Sequence, residues 1–166
     1  MIRQATESDI KDIMNIIDQA KQYFKENHIN QWQDGEPNKD MILEDISHNK
    51  SYVLTQEDHI IGTCYIALEE EPTYSYIEGE WLTKDTPYYV MHRIAVDTHY
   101  KGVGNATSFI EHTIKLALID CVQSIRIDTH KDNLSMQRFL KKHGFKPCGT
   151  IYLKNGDPRI GFEKIL

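Results

Sequence analysis

The chain has 166 residues, 40% of them hydrophobic, and carries a formal net charge of −6 at pH 7. This length suits one domain with a hydrophobic core, and we expect residues 1–166 to form a single domain. The acidic balance argues against general nucleic-acid binding, because phosphate contacts need a basic protein face. No apolar run reaches membrane-spanning length and the first residues are charged, so we expect no membrane association and a cytoplasmic location.

The first part of the chain predicts two helices joined by a loop. Thr6 is a good N-cap, and apolar residues then recur at helical spacing from Ile10 to about Asn27. Residues 28–38 have the composition of a loop. A second, short helix is predicted around residues 40–47.

A β-hairpin is predicted next. Residues 51–55 and 59–68 are rich in β-branched and aromatic side chains and flank a Gln-Glu-Asp turn. The acidic, aromatic segment of residues 69–85 shows no pattern that settles its structure.

The most informative segment is the junction between a strand ending near Val96 and a helix beginning near Gly102. Aromatic and β-branched residues dominate residues 88–96, whereas apolar residues recur at three- and four-residue spacing over residues 106–118. Gly102 and Gly104 let the backbone turn tightly, so several N–H groups of the first helical turn can converge. Because the helix dipole adds positive charge there, the turn predicts a phosphate or pyrophosphate site.

Two common nucleotide motifs do not fit this turn. A P-loop has Gly-Lys-Ser/Thr after four intervening residues, whereas Lys101 precedes its glycine here. A dinucleotide fingerprint needs a third glycine or alanine, and Thr107 stands at that position. The turn therefore predicts a different phosphate compound.

A strand and a short helix are predicted after this segment. Residues 124–129 have the pattern of a strand, and Asn133 precedes a short amphipathic helix. Gly144-Phe145 follows that helix.

Two closing strands complete the predicted order of elements. They cover residues 145–153 and 159–165 and flank a turn at residues 155–158. The order is a strand, two helices, an antiparallel run, and then β-α-β-α-β-β. This order predicts a mixed sheet with helices on both faces.

Two of these segments together resemble the GNAT N-acetyltransferase superfamily. Lys101-Gly-Val-Gly104-Asn-Ala106 resembles its motif A, Gln/Arg-x-x-Gly-x-Gly/Ala, with lysine at the first position. In the other register, which ends Gly102-Val-Gly104, that first position is His99. Asn133, followed eleven and twelve residues later by Gly-Phe, resembles motif B, and residues 2–9 resemble the first strand and helix start.

The resemblance spans nearly the whole chain and implies both a fold and a reaction. The implied fold is α/β (α+β), the acyl-CoA N-acyltransferase fold. It has a mixed, mostly antiparallel central sheet, helices on both faces, and a splayed strand pair that holds CoA. The implied reaction is direct acetyl transfer from acetyl-CoA to an amine in a ternary complex. The resemblance also allows a homodimer, although no segment here defines an interface.

The resemblance implies specific contacts with acetyl-CoA. Main-chain groups of Ile94 and Val96 would bind the pantetheine and thioester, and Asn133 would hydrogen-bond to the cofactor. A plain helix cap is the alternative role for Asn133. The pyrophosphate would be bound by N–H groups of the turn, which consists of Lys101, Gly102, Val103, Gly104, Asn105 and Ala106.

The resemblance implies no metal. The three cysteines, Cys64, Cys121 and Cys148, lack Cys-x-x-Cys spacing, which predicts free thiols in a reducing compartment.

The general base departs from the family pattern. Several relatives use a glutamate six residues before the position of Val96, where this chain has Val90. Strand alternation puts His92 on the same face as these two residues, and a largely neutral imidazole accepts a proton near pH 7. We predict His92 as the base. A histidine packed in the sheet is one alternative, and Glu78 or Glu80 acting through water is another.

The general acid also departs from the pattern. Many relatives have a tyrosine seven residues after the motif B asparagine, where this chain has Leu140. Thiolate departure is therefore assisted by water or another group, or transfer is slow or absent. Because a thiol pKa is about 8.5, concerted protonation is not required.

The acceptor amine is predicted from the loop between the first two helices, which commonly walls the acceptor pocket in this superfamily. Gln31 and Trp32 suit a small polar metabolite such as an amino acid, because an indole flanked by amides packs aliphatic groups and orients polar ones. A core-capping role is the alternative for Trp32. The carboxylate of an amino acid would need a cation, for which Arg93 and Arg3 are the candidates.

Other functions stay open at this stage. A cationic acceptor, such as a polyamine or a lysine side chain, is favoured by a run of acidic residues, Glu69, Glu70, Glu71, Glu78 and Glu80. A protein or peptide acetyltransferase is therefore one alternative. A CoA-binding sensor that transfers nothing is another, because the usual glutamate and tyrosine are both missing.

Overall fold

The computed structural model describes residues 1–166 and contains four helices and eight strands. The helices are α1 (Ile10–Glu26), α2 (Lys39–Ser47), α3 (Thr107–Ile119) and α4 (Leu134–Lys142). The strands are β1 (Ile2–Gln4), β2 (Ser51–Gln56), β3 (His59–Leu68), β4 (Glu78–Gly79), β5 (Tyr89–Val96), β6 (Ser124–Thr129), β7 (Lys146–Tyr152) and β8 (Pro158–Ile165).

The eight strands are ordered β1-β2-β3-β5-β6-β8-β7-β4 in the sheet. β5 and β6 run parallel, whereas β1–β2, β2–β3, β4–β7, β6–β8 and β7–β8 are antiparallel pairs. The prediction of a mixed, mostly antiparallel sheet is therefore confirmed. None of the four helices combines the length and apolar character that a membrane span requires.

The chain divides into two compact units. The first contains residues 1–66 and 92–113, and the second contains residues 67–91 and 114–166. Apolar side chains of α1, α2 and β2 form the core of the first unit together with Ala5. They are Ile13, Ile17, Ile42, Ile46 and Val53. The 3.6-residue period of the two helices puts these side chains on faces that exclude water, which stabilises the unit.

The start of α1 is held by a capping arrangement close to the predicted one. Thr6 precedes a single 3-10 turn, Glu7–Asp9, and the Asp9 carboxylate accepts hydrogen bonds from the Thr6 N–H at 2.7 Å and Oγ1 at 3.1 Å. Arg3 Nη1 lies 2.7 Å from the same carboxylate. The hydrogen bond from Arg3 lowers the pKa of Asp9 to about 2, against the opposing effect of burial.

We expect stability to fall in acid as Asp9 is protonated. Because the folded pKa is lowered to about 2 from 3.8, its contribution is present above pH 3.8 and is lost as the pH falls through the folded value. Arg3 is 42% exposed, so solvent screening limits the contribution to about 1 kcal/mol. Urea unfolding of wild type and Asp9→Asn should differ by this amount near neutral pH and converge in acid. A constant difference at every pH would contradict the assignment.

The second unit orders the segment that the sequence left unsettled. Trp81 is buried, and its Nε1 donates to the Tyr74 carbonyl oxygen at 3.0 Å. Glu163 is fully buried and accepts hydrogen bonds from the Leu82 N–H and from Ser124 Oγ, both at 2.6 Å. Aromatic burial and this buried carboxylate therefore hold residues 69–85, which local patterns do not predict.

Buried groups around Glu163 compensate its charge. Arg126 Nε lies 3.1 Å from Glu163 Oε1, and its guanidinium lies 4.3 Å from the Trp81 ring and 4.1 Å from the Tyr88 ring. Burial alone raises the pKa of Glu163, but hydrogen bonds from Ser124 and Thr83 together with the Arg126 charge outweigh it, so the pKa is lowered. The carboxylate is therefore ionised and acts as a structural acceptor.

One predicted boundary is wrong: α3 begins at Thr107, not near Gly102. Gly102 and Gly104 have φ of 80° and 87°, which lie in the left-handed region and cannot continue a right-handed helix. Residues 101–106 therefore form a separate turn, and the helix starts after it.

The motif B segment folds as predicted. Asn133 caps α4, since its side chain accepts from the Met136 N–H at 3.1 Å. Gly144 has a φ of 82°, and the Phe145 N–H donates to the Leu140 carbonyl at 3.0 Å, which closes the helix. Leu140 itself is fully buried. The position occupied by tyrosine in many relatives is therefore a core position in this chain.

Candidate active site

The turn of residues 101–106 (the glycine turn) presents main-chain N–H groups to solvent. The N–H groups of residues 102–106 are not donors in any main-chain hydrogen bond of the structure. Gly102 and Gly104 have positive φ, and a Cβ built on either would meet no atom within 4 Å. The space over the turn is therefore open to a ligand. A turn of bare N–H groups before a helix suits an anionic group such as a pyrophosphate.

Hydrogen bonds from α1 and within the segment of residues 97–105 hold the glycine turn in place. Asp97 accepts hydrogen bonds from the Gln19 side chain and from the His99 N–H, each at 2.9 Å. Gln19 in turn accepts from the Thr98 N–H at 2.9 Å, and Asn105 Nδ2 donates to the Tyr100 carbonyl at 2.9 Å. The Asn105 side chain is thus used within the turn, which leaves its main chain for a ligand.

Lys101 lies at the start of the glycine turn, where the resemblance predicts a phosphate contact. Its Nζ lies 4.7 Å from the centre of the Tyr23 ring on α1. Burial against this ring lowers the pKa of Lys101, and the Asp97 carboxylate partly offsets the effect. The ammonium of the first residue of the turn is therefore partly desolvated, which strengthens its attraction for an anion.

The second half of β5 departs from regular strand geometry at Arg93. Its φ is 53°, in the left-handed region that residues other than glycine rarely adopt. His92, Arg93 and Ile94 are all half-buried, so burial does not alternate through this segment. The alternation by which the sequence placed His92 on one face with Ile94 and Val96 is therefore interrupted. Such an interruption redirects the side chains on either side of Arg93.

His92 and Arg93 both lie against Tyr65 of β3. The ring centroids of His92 and Tyr65 are 5.4 Å apart, and the Arg93 guanidinium carbon lies 5.0 Å from the centre of the Tyr65 ring. Arg93 Nη2 also forms an ion pair with Asp45 of α2, in which the two side chains are 18% and 15% exposed. Burial raises the pKa of Asp45, and the Arg93 charge opposes the rise. Cys64 Sγ donates to the His92 carbonyl at 3.6 Å.

Trp32 and Gln31 lie in the loop between α1 and α2, as predicted. Trp32 is half-buried, packs edge-on against Phe24 with ring centroids 5.4 Å apart, and adjoins the core of the first unit. Its φ of 59° shows that the loop backbone turns at this residue. Gln31 is also half-buried, and its carbonyl accepts from Gln33 Nε2 at 3.0 Å. Trp32 therefore contributes to the core and also to the loop surface.

Three predicted site residues belong to the second unit, namely Asn133 and the two glutamates considered as alternative bases, Glu78 and Glu80. The Asn133 side chain is buried and caps α4. The Glu80 side chain is 80% exposed, and its carboxylate lies 3.8 Å from Lys84 Nζ. All the other predicted site residues belong to the first unit, namely Gln31, Trp32, His92, Arg93, Ile94, Val96 and residues 101–106. Arg3, the other predicted carboxylate ligand, is paired with Asp9.

The structure adds three residues that the sequence analysis did not select: Asp45, Tyr65 and Tyr23. Asp45 adjoins Ile46 and follows Ile42 by three residues, so its helix face borders the core of the first unit. A carboxylate that borders the core needs a polar or charged partner, and this requirement is the sequence signal that could have identified Asp45. The ring contacts of Tyr65 and Tyr23 have no comparable signal, because they depend on residues distant in sequence.

Known proteins resemble this chain in sequence and in fold. Residues 15–145 match the family model described as Acetyltransferase (GNAT) family. An acetyltransferase of the GNAT family from Streptococcus agalactiae is 30% identical with a TM-score of 0.84, over 100% of this chain and 95% of that chain. Nothing among the curated proteins matches the sequence.

Two more distant solved structures share the fold. The ribosomal-protein-alanine N-acetyltransferase of Brucella melitensis has 19% identity and a TM-score of 0.70, over 100% of this chain and 99% of that chain. The PaiA N-acetyltransferase of Thermoplasma acidophilum, solved in complex with coenzyme A, has 14% identity and a TM-score of 0.72, over 100% and 98%.

Proposed function

This chain belongs to the acetyltransferase (GNAT) family, and we propose that it acetylates the primary amine of a small polar metabolite, with an amino acid favoured. As a member, it is an acetyl-CoA-dependent N-acetyltransferase. The observation that carries the proposal is the glycine turn, whose N–H groups at residues 102–106 have no main-chain acceptor. Such groups suit the pyrophosphate of acetyl-CoA, and Lys101 adds a positive charge beside them.

The acetyl group of acetyl-CoA provides the reactive thioester in this proposal. The acceptor nitrogen attacks the thioester carbonyl carbon, the C–N bond forms, and the C–S bond breaks with loss of the CoA thiolate. An alkyl ammonium with a pKa of about 10.4 is only about one part in a thousand neutral near pH 7.4, so removal of its proton matters. His92 is proposed to accept that proton, because it is half-buried beside Tyr65 and adjoins the β5 main chain at Ile94.

An amino-acid acceptor is supported by the groups around Arg93. Arg93 Nε is buried and has no hydrogen-bond partner, although Nη2 is paired with Asp45. A guanidinium with an unused N–H can still donate a hydrogen bond to the planar carboxylate of a substrate. Gln31 and Trp32 supply an amide and an indole on the loop that is proposed to bind the rest of the acceptor.

A protein or peptide acceptor is the second candidate function. It is favoured by the fold shared with the ribosomal-protein-alanine N-acetyltransferase, whose name specifies a protein substrate.

The deciding experiment measures CoA-thiol release by the purified chain with acetyl-CoA and a panel of amines. The panel contains free amino acids, polyamines, aminoglycosides and lysine-bearing peptides. We expect release with free amino acids and little release with the peptides. Release with peptides alone would move the acceptor class to proteins. Silence across the panel, with acetyl-CoA still bound in calorimetry, would contradict the proposed class of acceptor.

A further inference from the structure

The left-handed backbone at Arg93 explains an unusual pair of contacts in β5. Consecutive side chains of a regular strand point to opposite faces of the sheet. His92 and Arg93 are consecutive, yet both lie against the same Tyr65 ring, at 5.4 Å and 5.0 Å. The left-handed φ of 53° at Arg93 is what permits this arrangement. The position of the His92 ring is therefore coupled to the backbone conformation at Arg93.

That conformation costs free energy in a residue with a side chain, so other contacts must hold it. Two contacts are made by the Arg93 side chain itself: its guanidinium lies over the Tyr65 ring and pairs with Asp45 near the end of α2. Both partners of the ion pair are largely buried, so the pair is screened by solvent less than a surface pair would be. The ion pair between Asp45 and Arg93 thus links α2 to β5.

We infer that Asp45 is a positioning residue, which holds Arg93 in its left-handed conformation and thereby orients His92 toward the acceptor amine. This inference rests on the proposed function, because it assumes that His92 is the base. Without Asp45, Arg93 can relax toward extended backbone, which restores strand alternation and moves the neighbouring side chains. The buried carboxylate itself has no proposed contact with acetyl-CoA or with the acceptor.

The kinetic test compares Asp45→Asn with Glu44→Gln, which removes the same charge from an exposed position of the same helix. We expect Asp45→Asn to lower kcat by about 10- to 100-fold, because misplacing a reacting group by about 1 Å has effects of this size. The Kd of acetyl-CoA should stay within about twofold, and Asp45→Glu should recover part of the rate. Glu44→Gln should behave as wild type. A lower acceptor KM with unchanged kcat would show instead that Asp45 only competes with the acceptor for Arg93, which overturns the inference.

A double-mutant cycle separates positioning from a general effect on folding. If Asp45 acts through His92, Asp45→Asn should change the rate little in a His92→Ala background. An equal loss in both backgrounds would overturn the inference. If Asp45→Asn does not fold, the same cycle is run with Asp45→Glu, which keeps the charge and changes only its reach.

A measurement without turnover keeps this inference separate from the proposed function. The ring protons of His92, identified by their loss in His92→Ala, should have an NMR shift set by the neighbouring Tyr65 ring. We expect this chemical shift to change in Asp45→Asn and to keep its wild-type value in Glu44→Gln. An unchanged shift in Asp45→Asn would overturn the positioning role, even if the wild type acetylates no amine in the panel.

Discussion

Gly104→Asp is expected to abolish acetyl-CoA binding, with a Kd raised at least about 100-fold, because like charges brought together cost several kcal/mol. The new carboxylate would lie among the N–H groups proposed to bind the pyrophosphate. A Cβ at Gly104 meets no atom within 4 Å, so the expected loss is electrostatic and not a steric clash within the protein. Calorimetry or fluorescence titration with acetyl-CoA measures it.

The chain offers a closely matched control for this substitution. Gly156, in the turn between β7 and β8, has a φ of 89° against 87° for Gly104, and its Cβ would also meet nothing within 4 Å. Gly156→Asp therefore introduces the same side chain at the same backbone cost, in a turn that belongs to the other compact unit. Gly104→Asn adds nearly the same volume without the charge. We expect Gly156→Asp to bind normally and Gly104→Asn to lose less affinity than Gly104→Asp. Retained affinity in Gly104→Asp would overturn the cofactor assignment of this turn.

His92→Ala is expected to lower kcat/KM for the amine by about 100- to 10,000-fold near neutral pH, the usual contribution of a positioned acid or base. The Kd of acetyl-CoA should change little, because the proposed pyrophosphate contacts come from residues 101–106. His92→Gln keeps a polar side chain of similar size but cannot serve as the base. It should therefore be as slow as the alanine variant.

The pH profile distinguishes a base from a packed histidine. If His92 accepts the proton, kcat/KM of the wild type should rise with pH as the imidazole loses its proton. This part of the rise should be absent in His92→Ala. His59→Ala, at an exposed position at the start of β3, is the control for the loss of a histidine as such. An unchanged profile in His92→Ala would leave the ring with a purely structural role beside Tyr65.

Much of the scaffold of the site follows from local sequence. Thr6 and Asn133 precede helical turns, as the sequence predicts, and glycine at 102 and 104 agrees with the positive φ of both residues. The predicted start of α3 near Gly102 is wrong, because apolar periodicity does not reveal where left-handed residues end. Gly102 and Gly104 serve the turn and not the helix.

The catalytic side of the site was less predictable. Alternation along β5 assumes regular pleating, and the left-handed Arg93 breaks that assumption. An arginine in this conformation has no local sequence signal, since glycine and asparagine are the residues that favour it. The sequence predicts that Arg93 binds a substrate carboxylate, but no local pattern indicates the ion pair between Arg93 and Asp45.

The sequence by itself determined the family, the mixed sheet and the glycine turn, because motif spacing, capping and glycine conformation depend on residues close together in the chain. Only the tertiary structure decided which groups surround His92. Asp45 and Arg93 are 48 residues apart, and His92 lies 28 residues from Cys64, whose thiol reaches its carbonyl. Such contacts are formed when helices and strands pack, and no local pattern specifies them.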